Sequence, residues 1–537
     1  MKKSNFLNGA IIATAGIIIC KIIGLVYVIP FYAMIGVTGG ALYSYAYSIY
    51  AIFLNLSTSG IPVAMSKLVS EYNALEQYNT KERAFKIGSS IIIGLGLISF
   101  IALMIFAPTI ANILKGGVEG GNSVESIASV IRVVSTALLV VPLFSVTKGY
   151  LQGHKMMTPS SIANVLEQLV RVIVLLLGSF IVVKVMNSSI ELAVKISVFA
   201  ATVGAAFGYL FLKIVINKNK KELNKNALAK EEELKITNKD IFKKIIFYAI
   251  PFVLVDLIDS FYVIVDSTTI IRTLTDMGMS GSNAEIVLSS IATWATKLDM
   301  IIISVSIGFV TSLIPHISSS YVKKEYNEVN RKINQALEML TLIVLPLTLG
   351  LSFLATPVWT IFYGYNKLSV SVFRLYALQA LTYSIHWLLV NILQSLNKSK
   401  ITLGTLFGAF VFKAIFNIPA MKYLPLIGIP AYQGATVLTL FIQVVTIVFM
   451  LGYLKYKFNF HFRSIFGNMF KISISALLMI LGLLLLNCFI PAHVNTRFSS
   501  IMIVLLYALV GGIIYFISTY KFGLLNNFFK LLKSRRG

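Results

Sequence analysis

Lys21, Asp256, Asp259, Asp266, Lys297 and Asp299 are charged side chains set inside otherwise apolar stretches of this chain. A charge at the bilayer centre costs about 2.5–3.5 kcal/mol on insertion scales, so such residues face a wet cavity or a partner inside a helical bundle. Ionisable groups in that setting mark a transport pathway. At about 100° per residue, Asp256, Asp259 and Asp266 fall within about 80° of one another and share one helix face. Three uses are open for that face: charge partners for Lys21 and Lys297, a site for a coupling proton or sodium ion, or contacts to hydroxyls and cationic parts of a substrate. Asp299 lies about 200° from Lys297 on its own helix, so the two form no local pair and Asp299 is expected to face a neighbouring helix. Glu167 and Arg171 are four apart, the spacing that stacks opposite charges, and an intrahelical pair is expected. Trp294, three residues before Lys297, shares that side of its helix and is a candidate for stacking on sugar.

The elements that must position these groups follow from composition. Of 537 residues, 57% are hydrophobic and only 12% charged, against about 25% charged in soluble domains. The mean hydropathy is +0.83. Segments of about 20 apolar residues, the length that crosses the hydrocarbon as a helix, recur about fourteen times. Their approximate starts are Phe6, Gly40, Ala84, Ser126, Ser160, Ile190, Ile241, Ile286, Ile333, Ser369, Lys400, Ala431, Asn468 and Thr496. They are long continuous runs, not ten-residue alternations, which argues against a membrane β-barrel. The fold class expected is an all-α integral membrane protein.

Lys and Arg set the orientation. With the N-terminus cytoplasmic, only Lys115, Arg132, Lys184, Lys195, Arg272, Lys367, Arg374, Lys422 and Arg497 fall outside, and most of the 46 basic residues fall inside. The positive-inside rule therefore places both termini in the cytoplasm. The net charge of +25 reflects this topology and attraction to anionic inner-leaflet lipid, not nucleic-acid binding. The apolar start has no small-residue cleavage site and reads as a retained first span. Cys20 and Cys488 lie in separate apolar stretches with neither disulfide nor zinc-ligand spacing.

The longest polar insertion divides the chain. Residues 1–216 form a first lobe of six spans, 217–240 a cytoplasmic linker, 241–457 a second six-span lobe, and 458–537 two further spans with a basic tail. Leu151-Gln152 recurs as Leu393-Gln394 and Arg171 as Lys413 at one offset, and Pro62 with Ser66 is echoed by Pro315 with Ser318. Even numbers of spans start both lobes on the same side, so the repeats are expected to be parallel, around a central cavity.

The segments Ser59–Tyr72, Lys148–Pro159 with Glu167-Gln168 and Arg171, and Lys297–Met300 through Leu313–Ser318 resemble the multidrug/oligosaccharidyl-lipid/polysaccharide (MOP) exporter superfamily. Within it they are most similar to the MurJ, YtgP and stage V sporulation protein B branch. The resemblance implies a lipid II flippase, moving the undecaprenyl-diphosphate-linked peptidoglycan precursor from inner to outer leaflet by alternating access of two lobes. It also implies cationic site residues. Lys21-Ile-Ile-Gly24 matches the first-span basic motif and Lys297 the basic residue of span eight. Tyr27 stands where many relatives have a second Arg, and the Arg pair of span two is replaced by the neutral run Tyr43–Phe53. On this resemblance Lys21 and Lys297 contact the diphosphate; Asp256, Asp259 and Trp294, from their helix faces, are further candidate substrate contacts. Asp266, Asp299, Glu167 and Arg171 remain as ion-coupling or charge-pair residues.

No Gly-x-x-x-x-Gly-Lys-Ser/Thr loop is present, so ATP hydrolysis is unsupported. The double glycines Gly116-Gly117 and Gly120-Gly121 fall in an outside loop, and the five histidines lack metal spacing. No cofactor or metal is expected; coupling by Na+ or H+ and the membrane potential is. The expected partners are the lipid-linked precursor, membrane lipids and the cell-wall synthesis machinery, with no nucleic acid, at the bacterial plasma membrane. Rival functions are a flippase for teichoic acid, capsule or spore polysaccharide units, a cation-coupled multidrug exporter of the same fold, and a membrane-embedded glycosyltransferase.

Overall fold

Hydrocarbon offers no water to unpaired backbone N–H and C=O groups, so long apolar segments satisfy them within helices. In the computed structural model every regular element among the described residues is helical. The structure describes residues 16, 19–58, 60–154, 156–223, 236–461, 463–492 and 496–524. Among the described residues ten helices are long and apolar enough to cross a membrane, and the bent pair Ile19–Val26 and Val28–Leu54, inclined by 42°, makes an eleventh if it is counted as one span. Gly36, at φ 64°, breaks the Val28–Thr58 run and separates the first two spans; positive φ at that corner suits glycine. A further long helix, Asn238–Asp276, has 39 residues and bears the three aspartates. This helical set is compatible with about fourteen spans. The expected start at Phe6, the middle of the linker at 224–235 and the basic tail from 525 lie outside the described residues.

Two compact units divide the chain. The first comprises residues up to Arg272 together with Ser280–Glu285. Its helices approach closely wherever side chains are absent: a Cβ on Gly149 would lie 2.4 Å from the Pro62 carbonyl oxygen, and one on Gly204 would lie 2.6 Å from that of Glu167. Small residues at such crossings let backbones meet in the absence of a hydrophobic drive between helices. Most of the helix 238–276, which opens the second half by sequence, belongs to this unit. Lys244 pairs there with Glu71 at 2.6 Å, and Gly60 meets the backbone of Ala249.

The second unit holds Thr273–Met279 and Ile286 onward. Its central helix, Ala295–Val322, packs on Tyr326–Phe353 and Gln379–Ser395. Buried hydroxyls tie these together, as in Ser306 Oγ donating to Ser384 Oγ at 2.7 Å. The two C-terminal helices, Arg463–Phe489 and Arg497–Lys521, pair with each other and pack on the rest of this unit.

Candidate functional site

In the first unit Lys148, Glu167 and Arg171 lie near one another on and beside the helix Met157–Phe180, which the first span meets. The two helices touch through glycine: Gly16 lies against Ser161 and Gly24 against Gln168. Lys21 is half-buried on the Ile19–Val26 helix, and its ammonium has no hydrogen-bond or ion-pair partner among the described residues. Its neighbour Cys20 lies within electrostatic reach of Glu167 and Lys148. Lys148 donates to Asn164 Oδ1 at 2.9 Å and sits 4.3 Å from the Phe144 ring centroid.

Arg171 extends the group. Glu167 and Arg171 share the face set by their spacing, yet no ion pair within 4.0 Å joins them; the guanidinium lies 5.9 Å from the Tyr47 ring centroid. Tyr43, Tyr47, Tyr27 and Glu167 are its electrostatic neighbours. Tyr43 and Tyr47 stack at 5.8 Å. At the positions where the resemblance implies further Arg, this chain thus has tyrosines, Tyr27 and Tyr43 near the Arg171 guanidinium and Tyr47 with its ring towards it. A planar guanidinium suits such rings and retains donors for phosphate oxygens.

The second unit holds the other motif. A π-helical turn, Ser290–Trp294, precedes Lys297 and Asp299; such turns recur at functional sites. Lys297 is half-buried, with its ammonium 4.7 Å from the Trp294 ring centroid. Trp294 itself is fully buried. Tyr363 donates its hydroxyl to the Trp294 carbonyl at 2.8 Å and packs edge-on to its ring at 5.4 Å. The ring expected to stack on sugar is here a packed element beside Lys297, with Tyr363 against it.

Asp299 is buried, and neither carboxyl oxygen has a hydrogen-bond partner among the described residues. Asp266 is also buried. The side chains of Asp256 and Asp259 lie outside the described residues. Lys413, the repeat counterpart of Arg171, is buried and donates to Thr439 Oγ1 at 2.7 Å. Beside the central helix of this unit opens an apolar cavity of about 540 Å³, lined by Leu298, Ile302, Pro346, Leu347, Met479 and Tyr507 among others.

Sequence reasoning passes over Lys148, because it falls near the predicted cytoplasmic end of span four. Its signal is a lysine sixteen residues before an asparagine across a short turn, which only the packing of the two helices makes meaningful. Among the described residues no cluster of three His, Cys, Asp or Glu could hold a metal.

Comparison with known proteins places this geometry. A family model described as polysaccharide biosynthesis protein matches residues 6–321. The lipid II flippase MurJ of Bacillus subtilis (strain 168) is 31% identical over 530 residues, covering 97% of this chain and 96% of that one. Among solved structures, lipid II flippase MurJ in an inward closed conformation aligns with a TM-score of 0.68 at 17% identity, covering 97% of this chain and 100% of the other. An inward-facing multidrug resistance MATE family transporter of the MOP superfamily aligns at 0.61 and 15% identity, covering 82% of this chain and 98% of the other. The fold is shared with these membrane transporters, and the chain is a multi-pass transporter, not an enzyme.

Proposed function

Because the chain belongs to the polysaccharide biosynthesis protein family, with 31% identity to a lipid II flippase across 97% of its length, we propose that it moves lipid II from the inner to the outer leaflet by alternating access. The residues that support this reading are three cations of the first unit: Lys21 on the first span, Lys148, which lies near Cys20 and Glu167, and Arg171, which lies near Glu167. A diphosphate leaving water needs cations and oriented donors in exchange for its hydration. Lys21 has no competing partner among the described residues, Lys148 is held by a neutral amide, and Arg171 rests on a neutral ring. None of the three is locked in an ion pair among the described residues, although Glu167 lies near Lys148 and Arg171. Lys297, resting on Trp294, is the corresponding cation of the second unit. The apolar cavity of about 540 Å³ suits a polyprenyl tail, whose partition from lipid requires only matching shape.

With the cell interior negative, outward movement of the anionic head is downhill by about 2.3 kcal/mol per charge per 100 mV. The unloaded carrier must then return with its cations uncompensated, which a coupling Na+ or H+ or the potential itself drives. Both termini are cytoplasmic on this reading, from the excess of Lys and Arg in the loops on that side. The product is handed to the cell-wall synthesis machinery.

The test is conditional depletion of a bacterium's own lipid II flippase with this gene supplied in trans, scored by survival and by externally accessible lipid II. Rescue is expected. No rescue, despite good membrane expression, would point instead to another polyprenyl-linked saccharide.

A further inference from the structure

Within the second unit a pocket of about 470 Å³ opens between the ends of the helices Tyr326–Phe353, Lys367–Tyr376 and Arg463–Phe489. Leu349, Phe353, Ile480 and Pro491 give it apolar walls, and it shares no lining residue with the larger apolar cavity. Two of its residues hold unspent donors. Arg374, in the last turn of its helix, is exposed. Its guanidinium makes one long hydrogen bond, to Thr356 Oγ1 at 3.3 Å, and no ion pair among the described residues. Ser352 fixes the backbone there by donating to the Arg374 carbonyl at 2.7 Å. Asn487 accepts through Oδ1 from the Ala492 N–H at 2.8 Å and from the Tyr507 hydroxyl at 3.3 Å. Its amide nitrogen has no partner among the described residues.

The lining supplies no carboxylate to neutralise Arg374. No Asp or Glu follows Glu338 in the sequence. Glu338 itself stands eleven residues before Leu349 on the same helix, about 16 Å along it, where it accepts from Asn468 at 2.9 Å. A cation at a helix C-terminus is favoured in its own right, but that role uses the charge and leaves the planar fork of donors unfilled. The nearby chain is dressed for lipid: Phe489 and Phe498, at the connection between the last two helices, are 83% and 75% exposed. A guanidinium beside apolar walls suits an amphiphile whose anionic group it pairs through two donors while the adjoining carbons lie on the walls. One guanidinium matches the single charge of a phosphodiester, whereas a diphosphate asks for more cations and a free phosphate ion would leave the walls uncovered.

We infer that this pocket binds the phosphodiester head group of an anionic phospholipid, with Arg374 pairing the phosphate oxygens and Asn487 donating beside it. A lipid so held joins the end of the Lys367–Tyr376 helix to the end of the Arg463–Phe489 helix, fastening the last two helices to the rest of their unit. The inference rests neither on the transported substrate nor on the transport cycle.

Native mass spectrometry of the full-length protein in an uncharged detergent, titrated with phosphatidylglycerol or phosphatidylcholine, tests it. The wild type is expected to retain phosphatidylglycerol at concentrations where phosphatidylcholine, whose choline cancels the phosphate charge, is lost. Arg374→Gln should weaken phosphatidylglycerol binding about tenfold, the effect of losing one charged hydrogen bond, and Arg374→Lys should fall between. Asn487→Asp keeps the acceptor for Ala492 and Tyr507 but sets a carboxylate beside the site, so binding should be abolished. Lys422→Gln, which removes an exposed cation from the last turn of another helix of this unit, should change nothing. Unchanged affinity in folded Arg374→Gln overturns the inference, as do an equal loss in Lys422→Gln and a wild type that does not distinguish the two lipids. If Arg374→Gln does not fold, Asn487→Asp decides by itself, lost binding supporting the site and retained binding overturning it. Displacement of the lipid by millimolar inorganic phosphate, or by undecaprenyl diphosphate at a lower concentration than phosphatidylglycerol itself requires, overturns the assignment to a phospholipid.

Discussion

Replacing Arg171 by Gln tests whether the guanidinium serves the substrate or the fold. No ion pair within 4.0 Å holds it among the described residues, and the Tyr47 ring lies 5.9 Å from it. Losing that contact costs about 0.5–2 kcal/mol. Breaking a buried ion pair would instead cost about 3–5 kcal/mol, because the abandoned carboxylate stays uncompensated. The melting transition should therefore move only slightly. For transport, one charged hydrogen bond to a diphosphate oxygen contributes about 1.5–3 kcal/mol, so its loss weakens loaded-state formation roughly 10- to 150-fold. Arg171→Lys keeps the charge without the planar fork and should fall between. Purified variants in liposomes, with flipped lipid II scored by an external enzyme and normalised to folded protein, give the rate; thermal melting of the same samples gives stability. Wild-type transport per molecule in Arg171→Gln, or a destabilisation large enough to account for all lost transport, would refute the reasoning.

Two further outcomes follow from separate parts of the molecule. Gly350 lines the apolar cavity, and a Cβ placed on it would meet no atom within 4 Å, so Gly350→Leu should fill space without collision and raise helix propensity by roughly 0.5–1 kcal/mol; an unchanged or raised melting point with reduced lipid transport is expected, and undiminished transport would remove the cavity from the tail's path. His154, in the turn after Gly153, has its pKa lowered to about 4 by burial and then by Lys81, and it meets the Asn73 amide at 3.2 Å. Because the folded pKa lies below the ordinary value of 6.5, the unfolded chain binds more protons between those limits; this stabilisation is complete above about pH 6.5 and fades as pH falls towards 4. His154→Gln should flatten the acid limb of a melting-temperature profile, and an identical limb in both proteins would count against it.

Much of the fold was readable because one physical constraint dominates it. Long apolar runs in a bilayer must be helices, and helical spacing correctly puts Trp294 beside Lys297 and sets Glu167 and Arg171 on a common face. Spacing within one helix says nothing, however, about which other helices cover that face. Arg171 meets Tyr47 from the Val28–Thr58 helix, more than a hundred residues earlier in the chain. Trp294 is sealed by Tyr363, some seventy residues later, which no local pattern announces. The glycines of the 116–121 loop were legible as an irregular loop, but the close approach of Gly121 to Glu285, a glutamate in another helix, was not.

The stretch joining the two halves of the sequence leaves and returns at one place. Lys81, fully buried, donates to the Leu223 carbonyl at 3.0 Å, and Arg83 donates to the Ile236 carbonyl at 3.0 Å and to Asn238. Both ends are thereby stapled to the opening turns of one helix, so peptide continuity between them is mechanically redundant. A chain severed there, or carrying a foreign domain in between, keeps its flanking helices anchored, which makes this the natural seam for building the transporter from two polypeptides.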